Sequence, residues 1–215
     1  QGNWVKAYLS LPKEQDIWIR ARGYYSTGLH NGSGSILESV LRTRIENQTP
    51  EGIALSDNFV EENQPVNTEV GTFSTNDPDS GDTFTYKLVS GNGSLHNSLF
   101  NISGNKLRTS AEFNYEAIKG YTIRVRSTDS GGLWVEGAFT ILIENVNEKP
   151  TDISLSSTSL DEGLPVDTVV GSLSSVDPDE GNTFVYSLVA GAGDADNSSF
   201  NILSNKLRTS DVFDY

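Results

Sequence analysis

The chain has 215 residues, of which 35% are hydrophobic and none is cysteine. This length can supply the core of one large domain or of two small ones. Lysine and arginine total 15 against 29 aspartate and glutamate residues, a formal net charge of −14. Such an acidic surface repels phosphate backbones and anionic lipid, which argues against nucleic-acid and membrane-surface partners. Without cysteine there are no disulfides, and in a secreted β-protein extracellular calcium can stabilise the fold instead.

The sequence contains no run of about 18 consecutive apolar residues, so it predicts no membrane-spanning helix in this segment. A signal peptide is not apparent either, which we expect of an internal piece of a longer chain.

The first 50 residues predict two β-strands. Asp16–Gly23 resembles Tyr121–Ser127 further along the chain. Gly34–Leu41 follows as the second strand. We interpret residues 1–50 as the C-terminal strands of a preceding β-sandwich domain.

Residues 51–149 predict about seven short strands separated by turn residues. The clearest strand is Thr83–Val89, in which Phe84, Tyr86 and Leu88 share one face. No amphipathic stretch is long enough to predict a competing helix. The other predicted strands are Ile53–Val60, Val70–Ser74, Phe100–Ile102, Lys106–Thr109, Tyr121–Ser127 and Val135–Glu144.

Residues 152–215 repeat residues 52–115 at an offset of 100 without a gap, and 34 of the 64 positions are identical. The run Asn105–Ser110, for example, recurs unchanged as Asn205–Ser210. A period of about 100 residues is that of one sandwich domain. The sequence therefore predicts an all-β fold of tandem, immunoglobulin-like, seven-strand Greek-key sandwiches.

We predict a first complete sandwich in residues 51–149 and a second one in residues 150–215 that lacks its last two strands. The first repeat continues for about 35 residues beyond the position equivalent to Tyr215. The fold as given is therefore expected to be incomplete at both ends, as in a portion of a longer polypeptide. The alternative is that another subunit supplies the missing strands and builds a fibre by strand donation.

Oxygen-bearing side chains recur near Asn145–Pro150, where one repeat ends and the next begins. Calcium takes about six to eight oxygen ligands, and no single short loop here supplies that many. Asp77-Pro78-Asp79 and its copy at residues 177–179 are by themselves ordinary turns, in which Pro fixes φ and Asp accepts backbone hydrogen bonds. Found together around a domain boundary, these groups favour a shared cation site.

The same segments resemble the cadherin family in its bacterial, cadherin-like form. The resemblance covers residues 52–215, and its motifs are specific jointly rather than singly. The matching segments are Val60–Thr68, Asp77–Gly81, Phe113–Glu116, Arg126–Asp129 and Asn145–Pro150. The resemblance implies cadherin-like sandwiches, calcium ions at their joints, and an extracellular location, either secreted or at a cell surface.

The resemblance also implies roles for individual residues. Glu62 resembles the bridging glutamate that two ions share, and Glu116 resembles the second bridging acid. Asn147 and Glu148 match the Asn-Asp of the family's linker, with Glu148 as the acidic ligand.

Asp177 and Asp179 match the paired aspartates of the following domain, which reach back to the joint in the family. The family usually has Asp where this chain has Asn114 and Asn145, and each lost carboxylate weakens the attraction for a divalent ion. With Asn145 as a neutral ligand, we expect one or two ions at this joint rather than three.

The earlier joint, before Thr49-Pro50, offers Asn47 and Gln48 and no acid. The resemblance implies that Asp77, Asp79 and Asp129 hold one ion there with the Asn47 carbonyl, more weakly than at the later joint.

Catalytic signatures are absent from the sequence. His30 and His96 have neither a neighbouring nucleophile nor a metal-spaced partner, so we interpret both as loop residues. Serine triads, phosphate-binding glycine loops and zinc signatures do not occur. We therefore predict that the chain is not an enzyme.

Three functions are consistent with the sequence. The favoured hypothesis is a calcium-stiffened segment of a bacterial surface adhesin or matrix protein, with calcium ions, neighbouring domains of the same chain and homophilic or fibre contacts as partners. The second is a structural fibre subunit. The third is a carbohydrate-binding or spacer module of a secreted hydrolase, in which Trp18 or Trp134 stacks on a sugar. Core or edge packing explains Trp4, Trp18 and Trp134 better.

Overall fold

The computed structural model describes residues 15–24 and 36–214, in which the regular elements are β-strands and two three-residue 3-10 turns. Trp4, His30 and Tyr215 lie outside the described residues. The strands are β1 (Asp16–Tyr24), β2 (Ile36–Arg44), β3 (Gly52–Leu55), β4 (Phe59–Glu61), β5 (Glu69–Asn76), β6 (Thr85–Leu88), β7 (Phe100–Ser103), β8 (Lys106–Thr109), β9 (Gly120–Thr128), β10 (Trp134–Glu144), β11 (Asp152–Leu155), β12 (Val169–Val176), β13 (Phe200–Leu203) and β14 (Lys206–Thr209).

Strands β1 and β2 form an antiparallel two-stranded sheet, with Asp16 opposite Arg44 and Tyr24 opposite Ile36. Both strands predicted in the first 50 residues are therefore present. The Arg42 guanidinium lies 5.9 Å from the centre of the Trp18 ring, and this tryptophan is exposed. Trp18 is thus a surface residue rather than a core residue.

Residues 52–144, all of which the structure describes, form two four-stranded sheets in the orders β3-β5-β8-β7 and β4-β10-β9-β6. The predicted strand Ile53–Val60 is wrong as a single element, because it forms two strands, β3 and β4, in different sheets. The chain changes sheet at residues 56–58, where the Asn58 N–H donates to Asp57 Oδ1 (2.8 Å). Strand β4 then pairs in parallel with β10.

Apolar residues from both sheets meet between them. Strand β9 alternates strictly, so that Ile123 and Val125 are fully buried while Arg124 and Arg126 are partly exposed. An aromatic cluster of Phe100, Phe113 and Tyr121 fills one end of this core, with ring centroids 4.6–6.3 Å apart. Burial raises the pKa of the Tyr121 phenol above its ordinary value.

Residues 152–209 contain one four-stranded sheet in the order β11-β12-β14-β13, with the same bounds as β3-β5-β8-β7 at an offset of 100. Even the register shift recurs, between Glu69 and Gly71 in one repeat and between Val169 and Gly171 in the other. The all-β sandwich fold predicted from the sequence is confirmed.

The chain divides into two compact units, residues 1–113 with 118–144 and residues 114–117 with 145–215. The short segment 114–117 therefore groups with the second unit, although its neighbours in sequence belong to the first. No helix within residues 15–24 and 36–214 has the length and apolarity needed to cross a membrane.

Candidate metal centre

The turn after β5 gives the first unit its acidic site. The Asp79 N–H donates to Asp77 Oδ1 (2.8 Å), which closes the turn around Pro78. Asp79 in turn accepts the backbone N–H of Gln48 on Oδ2 (2.7 Å) and the Gln48 side-chain amide on Oδ1 (3.3 Å). Asp79 therefore binds the segment that precedes the sandwich.

Asp77, Asp82 and Asp129 form a cluster in which one carboxylate oxygen of each lies within 4.8 Å of the others. Asp129 follows β9 and is only 6% exposed. Its Oδ1 accepts the Leu133 N–H (2.9 Å), and its Oδ2 accepts the Asn47 side-chain amide (2.9 Å). These bonds fix the buried carboxylate in place.

The donor set of this cluster suits calcium. Two unit negative charges at 4.8 Å repel by about 1 kcal/mol in water, and by several times more at the lower dielectric of a half-buried site. Asp77 Oδ2 is buried and accepts no hydrogen bond from the residues that the structure describes. Carboxylate and amide oxygens are the ligands that calcium prefers, so the residues present fit that ion.

The second unit repeats the turn. The Asp179 N–H donates to Asp177 Oδ1 (3.0 Å), and the backbone N–H of Glu148 donates to Asp179 Oδ2 (2.6 Å). Asp179 is 7% exposed, and its Oδ1 is buried without a hydrogen bond from any described residue. The side-chain amide of Asn182 also donates to Asp177 Oδ1 (3.0 Å).

Two predicted acids meet within the second unit, where carboxylate oxygens of Glu116 and Glu148 lie within 4.8 Å of each other. The Ala117 N–H donates to Asn114 Oδ1 (2.7 Å), which closes the turn that carries Glu116. The Asn147 side chain is exposed, and its amide donates to the carbonyl of Glu148 (2.9 Å).

The remaining predicted ligands are Glu62 in the first unit and Asn145 in the second. Glu62 follows β4, its backbone N–H donates to the carbonyl of Glu144 (3.0 Å), and its side chain is completely buried. A carboxylate withdrawn from water is costly unless a positive or hydrogen-bonding partner compensates it. Asn145, by contrast, is exposed.

No motif in the sequence assigns a ligand role to Asp82, Gln48 or Asn182. Asp82 lies in the cluster of turn residues that ends β5, and its only signal is a carboxylate five residues after Asp77. Gln48 donates to Asp79 through its backbone N–H and, at a longer distance, through its side-chain amide. The shorter of these bonds uses a group that every residue type except proline supplies, so residue chemistry gives little signal for it.

The other candidate residues have structural roles. The Thr122 N–H donates to His96 Nδ1 (2.9 Å), and the ring packs edge-on against Tyr121 with centroids 5.1 Å apart. His96 is therefore a loop residue held by the sandwich.

Trp134 is 48% exposed, and the Arg126 guanidinium covers one face of its ring at 4.1 Å. Arg126 is itself held by Glu136 Oε1 (2.7 and 2.9 Å). Hydrogen bonds from Arg126 and then Arg124 lower the pKa of the Glu136 carboxyl. The covered ring face is not available for stacking on a sugar.

Comparison with known proteins finds similarity to cadherins. Residues 58–144 match the family model of the cadherin domain. Human cadherin-18 is 28% identical over 177 residues, covering 73% of this chain and 22% of that protein. Human protocadherin beta-1 is 30% identical over 116 residues, covering 52% of this chain and 14% of that protein.

The chain thus spans less than a quarter of the length of these two cadherins. Among solved structures, human protocadherin-24 EC1-2 superposes with a TM-score of 0.58 at 22% identity, covering 77% of this chain and 81% of that one. The extracellular cadherin domains 1–4 of protocadherin gamma B7 give a TM-score of 0.52 at 23% identity, covering 94% and 50%. At these identities the structures show the fold alone. The family match and the related sequences confirm the predicted cadherin resemblance.

Proposed function

We propose that the chain is a calcium-binding, non-enzymatic adhesion or spacer segment of a large extracellular protein of the bacterial cadherin-like type, acting at a cell surface or in a matrix. One observation carries the proposal. Beside the Asn47-Gln48 segment that leads into a cadherin domain, the carboxylate oxygens of Asp77, Asp82 and Asp129 lie within 4.8 Å of one another. The extracellular cadherin domains of protocadherin gamma B7, which share this fold, support the location.

We assign the ligands of the first turn to Asp77, Asp79, Asp82 and Asp129, with Asn47. The proposed ligands near the junction of the repeats rest on the motif match and on the acids described within each unit. They are Glu62 in the first unit, and Glu116, Asn145, Asn147, Glu148, Asp177 and Asp179 in the second.

When bound, calcium supplies the positive charge that offsets repulsion among the carboxylates. The chain's own residues prepare this effect. Asp129 already holds the Asn47 side chain, and Asp79 already holds the Gln48 backbone. Asn47 and Gln48 are therefore tied to the acids that the ion would neutralise. If this segment links two domains, as proposed, neutralisation should reduce its freedom. This suits a spacer that presents a binding region or bears load.

The proposal divides the chain into three segments: residues 1–50 as the end of a preceding domain, 51–149 as the first cadherin-like domain and 150–215 as the second.

Small-angle scattering of the chain in chelator and in millimolar calcium tests the proposed stiffening. We expect a narrower range of conformations and a longer maximum dimension with calcium. Sodium chloride at matched ionic strength is the control, because general screening should not reproduce the change.

Thermal unfolding gives a second measurement. An ion present at 100 times its Kd stabilises the folded state by about 2.7 kcal/mol per site. Asp177→Ala should remove the contribution of the second turn and leave the calcium response of the first turn intact. The absence of calcium binding by calorimetry at millimolar concentration would contradict the proposal.

A further inference from the structure

The charges of the chain are segregated along its sequence. Residues 1–44 contain six lysine and arginine residues and three acids, a formal net charge of +3. Residues 45–215 contain nine lysine and arginine residues and 26 acids, a formal net charge of −17. The two-stranded sheet of β1 and β2, here called the β1–β2 ribbon, therefore belongs to the positively charged part of an acidic chain.

The register of the β1–β2 ribbon sorts its side chains onto two faces, because directly opposite residues of an antiparallel pair lie on the same face. One face, called the arginine face, carries exposed side chains that include three arginines and one acid among the residues that the structure describes. These exposed residues are Asp16, Trp18, Arg20, Val40, Arg42 and Arg44. The other face carries Ile19 opposite Leu41. An apolar face packs against a core, so the arginine face is the one that stays in water.

The arginine face combines an aromatic ring with guanidinium groups. Trp18 is 64% exposed, and the Arg42 guanidinium lies 5.9 Å from the centre of its ring. Asp16 holds Arg42 there, with Oδ2 2.6 Å from Nη2. Arg20 and Arg44 are each two positions from this pair, about 7 Å along their strands. An indole ring offers a flat stacking surface, and arginine forms charge-assisted, bidentate hydrogen bonds with carboxylates.

The size of the arginine face limits the kind of partner. Nine residues per strand give a length of about 30 Å, and two strands give a width of about 10 Å. The resulting area of about 300 Å² is well below the roughly 800 Å² that each partner buries in a stable complex of two proteins. A linear polymer, unlike a globular partner, can bind along such a narrow strip.

We propose that the arginine face binds an acidic polysaccharide, a linear polymer of sugars that carry carboxylates. Trp18 stacks on the apolar face of one sugar ring, while Arg20 and Arg44 pair with the carboxylates of neighbouring sugars. A sparsely charged polymer fits better than nucleic acid, because the acidic remainder of the chain repels a densely charged backbone. This inference goes beyond the proposed function and does not depend on calcium.

Affinity electrophoresis of the whole chain tests the proposal, in chelator and at about 50 mM sodium chloride so that ion pairs are only weakly screened. The probe is polygalacturonate held in the gel, with dextran as the neutral polymer. We expect polygalacturonate alone to retard the chain. Arg20→Gln with Arg44→Gln should raise the apparent Kd by at least about 10-fold. Trp18→Ala should raise it by about 5-fold, because stacking is lost and the charges remain.

Two further double variants are the controls. Arg20→Lys with Arg44→Lys keeps both charges and should stay within about 3-fold of the wild-type Kd, which separates loss of charge from loss of folding. Lys87→Gln with Lys149→Gln removes two charges from exposed side chains outside the β1–β2 ribbon. That variant should stay within about 2-fold of the wild type, because distant exposed charges are largely screened.

Four results would overturn the proposal. The first is a wild-type chain that polygalacturonate does not retard. The second is equal weakening by the Lys87/Lys149 variant, which would mean that net charge alone sets the affinity. The third is tighter binding of single-stranded oligothymidylate than of polygalacturonate, which would make the face a nucleic-acid surface. The fourth is self-association in sedimentation that the Arg20→Gln/Arg44→Gln variant loses, which would make a second copy of the chain the partner. Because the chelator removes calcium, each result leaves the proposed function untouched.

Discussion

The two repeats share one sheet and differ in the other. The sheet β3-β5-β8-β7 recurs as β11-β12-β14-β13 with identical bounds at an offset of 100. In the first repeat, residues 59–61 and 85–88 are also strands, paired with β10 and β9. Within the described part of the second repeat, residues 159–161 and 185–188 form no strand, although Tyr86 and Leu88 recur there as Tyr186 and Leu188.

The positions equivalent to β9 and β10 would be 220–244, which are not among the 215 residues of the chain. The shared sheet uses only partners from its own segment, whereas β4 and β6 pair with strands further along the chain. Thr109 and Thr209 are both buried, and each hydroxyl donates to the carbonyl of the matching proline, Pro65 or Pro165 (3.3 and 3.2 Å). These bonds need only residues of the repeat itself. Leu88, whose strand pairs with β9, is half-buried, whereas Leu188 at the matching position is 40% exposed and lies in no strand.

The largest change in the free energy of unfolding is expected from Gly71→Ala, in the sheet that the two repeats share. A Cβ at residue 71 would lie 2.5 Å from the backbone oxygen of Asp57, so the backbone must move. At Gly171 the corresponding Cβ would lie 2.9 Å from the Leu155 side chain and from the Ser157 oxygen. We expect Gly71→Ala to lower the free energy of unfolding of its unit by about 3 kcal/mol and Gly171→Ala by about 1–2 kcal/mol.

Hydrogen exchange resolved by unit is the measurement for the glycine variants, because unfolding of the whole chain need not be two-state. Equal losses in the two units, or a larger loss for Gly171→Ala, would show that the closer backbone approach at Gly71 does not matter.

A smaller change in the free energy of unfolding, and in the opposite direction, is expected from Asp82→Asn in the absence of calcium. Removing one of three close carboxylates relieves repulsion, so in chelator the variant should stabilise the first unit by about 1–2 kcal/mol. In saturating calcium it should gain less stability from the ion than the wild type does. Thermal unfolding in both conditions measures this. Destabilisation in chelator would mean that the charges of the cluster are already compensated by the protein.

The smallest effect is expected at the hairpin turns between β7 and β8 and between β13 and β14. Gly104 has φ of 64°, and Ser204 at the matching position has φ of 57°, in the left-handed region. A non-glycine residue costs about 1 kcal/mol there. Ser204→Gly should therefore stabilise the second unit by up to about 1 kcal/mol, and Gly104→Ser should destabilise the first by a similar amount. Chemical denaturation measures both, and changes of the same sign would contradict the explanation.

Much of the fold was predictable from the sequence because alternation and turn residues are local signals. Several strands occur within one or two residues of their predicted bounds, namely the hairpin Phe100–Ser103/Lys106–Thr109 and the strands β9 and β10. The split of Ile53–Val60 into β3 and β4 was not predictable, because each half is a reasonable strand and only its partner decides its sheet.

The candidate site was predictable in part for the same reason. Motif matching selected Asp77, Asp79 and Asp129, and two of these three contribute to the carboxylate cluster. Asp79 instead holds the Gln48 backbone. Asp82 was missed because a turn-rich acidic segment contains several oxygens, and its spacing alone does not tell which of them face one another.

The sequence by itself determined the repeat, its period of about 100 residues, the β-sandwich class and the cadherin resemblance. These follow from composition, alternation and motif spacing, which are properties of the linear chain. Only the tertiary structure decided that Asp82 joins Asp77 and Asp129, with carboxylate oxygens within 4.8 Å of one another. The physical reason is that β9 brings Asp129 to the turn after β5 from about 50 residues away in sequence, and electrostatic repulsion and ion binding depend on distance in space rather than along the chain.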